Sequence, residues 1–235
     1  SGAYSSNTET FIANDVTYSD IITPDTNNGV KVSYETDTDF FAISLQDGAF
    51  FGDGRLGGDT DSDALTDLVA QLTESVTPEL SGYAIEAAYA KDLGNGFNAF
   101  LGAVFEATEV GNGANDLEIN STVINAFISY ETGAWLFIGE YNMTAHDVST
   151  LGELEIDTFL LMANCSYSEQ ASITGRVSHV DADDILEATK FTLAHNYAFT
   201  NNLMLVAEIS AVGYEFDGGV DGETLECVLE LLITF

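Results

Sequence analysis

The sequence predicts an all-β fold, an antiparallel up-and-down transmembrane β-barrel of about twelve strands, on three observations. The first is segment 225–235. There Leu225, Cys227, Leu229, Leu231, Ile233 and Phe235 share one face, and Glu226, Val228, Glu230, Leu232 and Thr234 the other, because strand side chains alternate with period two. A greasy face ending on Phe suits a strand with lipid on one side and water on the other. The second is the connections: short turns near 37, 94, 132, 169 and 201 interleave with longer acidic ones at 20–28, 47–79, 107–118, 144–155, 180–185 and 213–223. Short periplasmic turns and long acidic extracellular loops are the asymmetry of such barrels. The third is the aromatics. Tyr83 and Tyr89, Phe97 and Phe105, Trp135 and Tyr141, Phe159 and Tyr167 sit near the ends of greasy strand faces, spaced as two interfacial girdles require.

The elements follow in order. A weak first strand is expected at about 8–18. Val30, Val32 and Tyr34 then alternate with Lys31, Ser33 and Glu35, and past Thr36-Asp37-Thr38 the pattern resumes with Phe41, Ile43 and Leu45. Tyr83, Ile85, Ala87 and Tyr89 lead through the Gly-Asn-Gly turn at 94–96 to Phe97, Ala99, Leu101, Ala103 and Phe105. Ile124, Ala126, Ile128 and Tyr130 turn at Gly133 into Trp135, Phe137, Gly139 and Tyr141. Phe159, Leu161, Ala163, Cys165 and Tyr167 turn into Ile173, Gly175 and Val177. Phe191, Leu193, His195 and Tyr197 turn into Leu203, Leu205, Ala207 and Ile209. Pro24 and Pro78 both lie in connections, as a continuous ladder demands. Residues 1–235 thus read as a single barrel domain. Within 47–79, Leu65, Leu68, Val69 and Leu72 have helical spacing behind Asp61 or Ser62 as cap, which predicts a short amphipathic helix at the barrel mouth or against a neighbouring subunit.

Composition narrows the function. A net charge of −34, from 39 acids and 5 bases, usually marks disorder, but 15 Phe and 10 Tyr require a fold that keeps its charge in wet places. Nucleic acid is excluded as a partner, because phosphate neutralisation needs clustered Lys and Arg. No uncharged run is long enough for a membrane-spanning helix. The start, Ser1-Gly-Ala-Tyr4, reads as the mature end of an exported protein after signal-peptide removal. Cys165 and Cys227, placed on the lipid-facing parity four strands apart, are expected to be free thiols.

Residues 134–142, 172–181 and 191–208, together with Phe235, resemble the strand-turn-strand units of bacterial outer-membrane porins, and are most similar to the β-barrel porin family described as OmpL-like. The resemblance covers roughly 80–235. It implies an outer-membrane channel, names no solute and carries no catalytic residues.

With the greasy face toward lipid, the opposite face lines a lumen that receives Glu86, Glu140, Glu208 and Glu230, with Arg176 opposing them and Lys190 nearer a strand end. A net negative wall favours cations, so the expected function is passive, cation-preferring diffusion of small hydrophilic solutes, without cofactor. Asp59, Asp61, Asp63 and Asp67 have a carboxylate spacing that suits calcium, although Ala64 and Ala70 depart from an EF-hand loop. The expected partners are outer-membrane lipid, lipopolysaccharide through divalent cations, and further copies (a dimer or trimer) or other envelope proteins. Three alternatives stand beside this: a structural or adhesive barrel, a secreted soluble β-sandwich binding module, and an enzyme. The last is disfavoured, because no Gly-x-Ser-x-Gly motif occurs and Ser178 and His179 face opposite sides of their strand.

Overall fold

The structure, a computed structural model, describes residues 29–46, 79–111, 117–149, 152–183, 185–200 and 202–233. They form eleven strands: β1 (Gly29–Glu35), β2 (Asp39–Gln46), β3 (Glu79–Gly94), β4 (Phe97–Gly111), β5 (Leu117–Thr132), β6 (Trp135–Val148), β7 (Gly152–Ser168), β8 (Ala171–Ala182), β9 (Leu186–Thr200), β10 (Leu203–Phe216) and β11 (Val220–Ile233). All belong to one sheet in which each strand pairs antiparallel with its sequence neighbours. The expected first strand at 8–18, the helix within 47–79 and the Asp59, Asp61, Asp63 and Asp67 group lie outside the described residues.

Among the described residues the sheet is open: β1 pairs only with β2 and β11 only with β10. In an unbroken antiparallel series of eleven, the first and last strands run the same way. Antiparallel closure therefore needs an odd number of further strands between β1 and β11.

Apart from β1, which is exposed along its whole length, the strands show the two-faced pattern their alternation predicts. On β7, Phe159 and Leu161 are exposed while Thr158, Leu160 and Met162 are buried. All eight girdle aromatics are exposed on the outward face. Near the short-turn end Phe97 stacks on Tyr130 at 4.1 Å between ring centroids, a cross-strand pair that supports register, and Trp135 stacks on Phe137 of the same strand at 5.7 Å. The β3–β4 turn needs positive φ at Gly94, Asn95 and Gly96. A Cβ at Gly96 would collide with the Glu131 carbonyl oxygen, so that position tolerates only glycine. Cys165 and Cys227 are free thiols on β7 and β11, with three strands between them.

The connections correct one expectation. Segments 107–118, 144–155 and 213–223 are entered by strand from both ends, and 180–185 by β8 alone as far as Ala182: β4 runs to Gly111 and β5 starts at Leu117, β6 runs to Val148 and β7 starts at Gly152, and β10 runs to Phe216 and β11 starts at Val220. Carboxylates are depleted in strands because they fit a half-buried surface poorly. Within these segments the described carboxylates occupy outward positions, while Thr108, Ile119, Val148 and Ile156 beside them are buried inward and continue the ladder. Strands of 14 to 17 residues in β5, β6 and β7 exceed the roughly 9–11 that a tilted membrane crossing requires. The surplus lies at the long-connection end and carries the acids.

Candidate functional site

The inward face is where the chemistry collects. Register assigns it strand by strand: Ser44 on β2 pairs with Glu86 on β3, Glu106 on β4 with Ser121 on β5, and Ser121 with His146 on β6. On the far wall Arg176 pairs with Thr192, Ser178 with Lys190, and Glu208 with Val228. Glu86, Glu140, Glu208, Arg176 and Lys190, all expected inward, are buried there, and Glu230 is half-buried opposite buried Val206.

Hydrogen bonds tie many of these groups to the adjacent strand. Ser44 Oγ donates to Glu86 Oε2 at 3.1 Å and Gln46 Nε2 to the same oxygen at 2.8 Å. Thr108 Oγ1 donates to Glu106 Oε1 at 2.8 Å, and Ser121 Oγ lies 2.7 Å from His146 Nδ1. Asn125 Nδ2 donates to Glu140 Oε1 at 2.9 Å and to Asn142 Oδ1 at 2.6 Å, and Asn142 Nδ2 reaches Thr158 Oγ1 at 3.2 Å. On the opposite wall Lys190 Nζ pairs with Glu226 Oε2 at 2.8 Å, and Ser210 Oγ donates to Glu208 Oε1 at 3.1 Å. Buried polar groups need partners, and strands that alternate acid or amide with hydroxyl supply them sideways.

Charge is arranged by wall. Mid-strand carboxylates Glu86, Glu106 and Glu140 lie on β3, β4 and β6. Arg176 and Lys190 lie on neighbouring β8 and β9. Glu208, Glu226 and Glu230 follow on β10 and β11. The described mid-strand set is thus six acids and two bases. Lys190, placed near a strand end from sequence, is 1% exposed and sits diagonally next to Arg176.

Sequence reasoning missed Glu106, His146 and Asn125 as members of this face, and it placed Glu226 on the face without counting it among the lumen acids. For Glu106 the signal was present, since it continues the parity of Val104 beyond the Phe105 at which the strand was ended. It also missed that the inward face is not uniformly polar: Ile138, Leu160 and Met162 form a buried cluster with Phe127 and Leu136 against it. Ser121 Oγ and His146 Nδ1 meet across the β5–β6 pair within this buried face. Among the described residues no group of three or more His, Cys, Asp or Glu is placed to hold a metal ion.

No protein-family model and no curated protein matches the sequence, so the OmpL-like family finds no support there. Solved structures do match in fold. The anion-selective porin from Comamonas acidovorans superposes with a TM-score of 0.59 at 14% identity, over 88% of this chain and 58% of that one. Outer-membrane expressed OmpT of Vibrio cholerae gives 0.56 at 14%, over 87% and 63%. A porin refined at 1.8 Å resolution gives 0.55 at 15%, over 89% and 62%. The chain spans about six-tenths of the length of these proteins. The likeness is one of fold: a porin-like, up-and-down antiparallel sheet.

Proposed function

We propose that this chain is the membrane-spanning barrel of a porin-like channel in a bacterial outer membrane, of the OmpL-like kind, passing small hydrophilic solutes by diffusion with a preference for cations and without catalysis or cofactor. The observation that carries the reading is the two-faced sheet. Its outward face exposes Leu161, Phe191, Leu193, Leu225 and Leu229, each more than half accessible, while charge and amide groups are gathered inward. A water-soluble protein would have that arrangement inverted. The porin fold of the solved neighbours supports the channel class. One neighbour is named anion-selective, whereas the inward excess of acids here favours cations, so selectivity is the finer part of the proposal.

The burial of that inward face favours a second reading, a filled barrel with a structural or adhesive role. Glu106 and His146 are 0% exposed and Arg176 is 3%. Conduction requires water to reach side chains of this kind, and the apolar cluster around Leu160 opposes wetting. Reconstitution in planar bilayers separates the two. Discrete conductance steps, with a reversal potential of cationic sign under a salt gradient, support the channel, and the absence of any conductance supports the filled barrel.

Calcium at Asp59, Asp61, Asp63 and Asp67, contact with lipopolysaccharide through divalent cations, and assembly as a dimer or trimer belong to the same proposal. One neighbour is described as a trimer form. Neutral substitution of the four aspartates should remove any response of stability to chelator, and an unresponsive wild type would dispose of the calcium site.

A further inference from the structure

The outward face is not evenly covered. Two hollows lie side by side on it, one of about 480 Å³ floored by Ala207 between Leu193, Ile209 and Leu229, the other of about 350 Å³ floored by Ala163 and Gly175 between Phe137 and Leu161. They meet at the Gly175–Leu193 register pair of β8 and β9. A Cβ built on Gly175 would meet nothing within 4 Å, so the floor there is open space. Both walls are mostly apolar, with buried Glu208 and Arg176 beneath the floors, and exposed polarity gathers at one edge. Toward the short turns, Tyr167 lies 2.6 Å from His195 Nε2, the two rings stacked at 6.0 Å between centroids. The nearby aromatics Trp135, Tyr167 and Phe199 are the short-turn girdle, so this polar pair sits at the depth of a membrane interface.

We propose that this surface binds one diacyl phospholipid, an acyl chain in each hollow and the ester and phosphate region on Tyr167 and His195. Two adjoining apolar grooves with a single polar edge match a molecule with two chains and one head. The larger hollow lies within the roughly 300–1,000 Å³ range of small-molecule sites. When the Tyr167 hydroxyl donates to Nε2, the ring proton resides on Nδ1 and gives the ester or phosphate oxygens a donor. The short-turn edge assigns the lipid to the leaflet on that side. The inference rests on the outward face being the membrane-facing one.

Full-length protein purified in detergent, with phosphatidylethanolamine as probe, tests it by native mass spectrometry. The wild type should retain one phospholipid. Ala207→Phe and Gly175→Leu, which fill the hollows, should lower retention severalfold. Ala211→Phe, on the same face outside both hollows, should not. His195→Leu should weaken retention while leaving heat-modifiable gel migration unchanged, which guards against misfolding. A wild type that inserts in vesicles yet carries no lipid, or equal retention in Ala207→Phe and Ala211→Phe, overturns the proposal while leaving the membrane reading intact. A change of subunit number in Ala207→Phe with lipid retention unchanged also overturns it and makes the face a contact between copies. Protein that stays in solution without detergent overturns both readings.

Discussion

Asp181 on β8 stands directly opposite Glu187 on β9, and the row continues on both sides through Asp157, Glu215 and Asp221, five carboxylates on five successive strands. Four of the five are exposed and Asp157 is half-buried, its Oδ1 accepting from the Tyr141 hydroxyl at 2.8 Å. Like charges in directly opposed cross-strand positions destabilise a sheet. The row is tolerated because it lies beyond the apolar band, where water and ions reach it.

Salt should therefore stabilise this protein over an unusually wide range. Cross-strand neighbours are about 5 Å apart, while the screening length is about 10 Å at 0.1 M and about 3 Å at 1 M. Ordinary salt leaves nearest-neighbour repulsion largely unscreened, so the unfolding temperature should keep rising between 0.1 and about 1 M salt. Asp181→Asn with Glu215→Gln should raise stability at low salt and flatten the slope. Unfolding followed by circular dichroism in detergent at several sodium chloride concentrations measures it. A slope unchanged by the double substitution would place the origin of the effect elsewhere.

Closure of the barrel supplies a second expectation. β1 and β11 run parallel, so a strand antiparallel to both would close the sheet, and the sequence leads us to expect one at about 8–18. Deleting residues 1–20 should leave two open edges, which pair with other chains. The shortened protein should lose heat-modifiable migration and sediment as aggregates. Normal migration of the shortened form would show that the sheet closes by other means.

Lys190 and Glu226 make an unequal ion pair. The lysine side chain is 1% exposed and the glutamate side chain 34%. Removing the glutamate strands a buried charge, whereas removing the lysine leaves an acid that water can reach. Glu226→Gln should therefore cost more than Lys190→Met. Breaking a fully buried pair costs about 3–5 kcal/mol, and partial exposure lowers the expected figure below that range. Urea unfolding of the two single variants and the double variant gives the order. Equal costs would mean that Arg176 and other neighbours, rather than Glu226, set the environment of Lys190.

The lipid face is tested at Leu229, 74% exposed and next in sequence to inward Glu230. Leu229→Arg should impair insertion by about 2–4 kcal/mol, the penalty of a mid-membrane charge on a barrel. Spin labels at 229 and 230 should differ in access to a lipid-soluble quencher, and equal access would contradict the assigned faces.

Much of this organisation was legible because period-two patterning is local. Leu161 against Glu140, Leu229 against Glu230 and the eight girdle aromatics could each be assigned from a few neighbouring residues. What failed needed information from adjacent strands. The acids at 107–118 and 213–223 read as loop until register showed Thr108 and Ile119 buried between them. Lys190 beside Ser178, and Glu106 in one row with Ser121 and His146, are products of register that no single strand encodes. The inward cluster of Ile138, Leu160 and Met162 escaped because greasiness was taken to mark the outward face alone.

Selectivity is the most demanding expectation. Six mid-strand acids face two bases across the inward surface, and the sequence alone had supplied only four of those acids. Charges on a narrow, low-dielectric wall act over several ångströms with little screening, so cations should be preferred at low salt and less so at high salt. Replacing Glu86, Glu140, Glu208 and Glu230 by Gln should remove most of the preference while conductance stays similar, since Gln keeps side-chain volume. The hydrogen bonds give these positions unequal weight. Glu86 and Glu140 accept from Gln46 and Asn125 at 2.8 and 2.9 Å, so Gln there must rotate its amide to preserve the contact. Glu230, half-buried on β11, is the member best placed to meet a solute, and Glu230→Gln alone should give the largest single shift in reversal potential. An anionic reversal potential in the wild type would instead make Arg176 and Lys190 the charges that solutes encounter, and Lys190→Met should then reduce it.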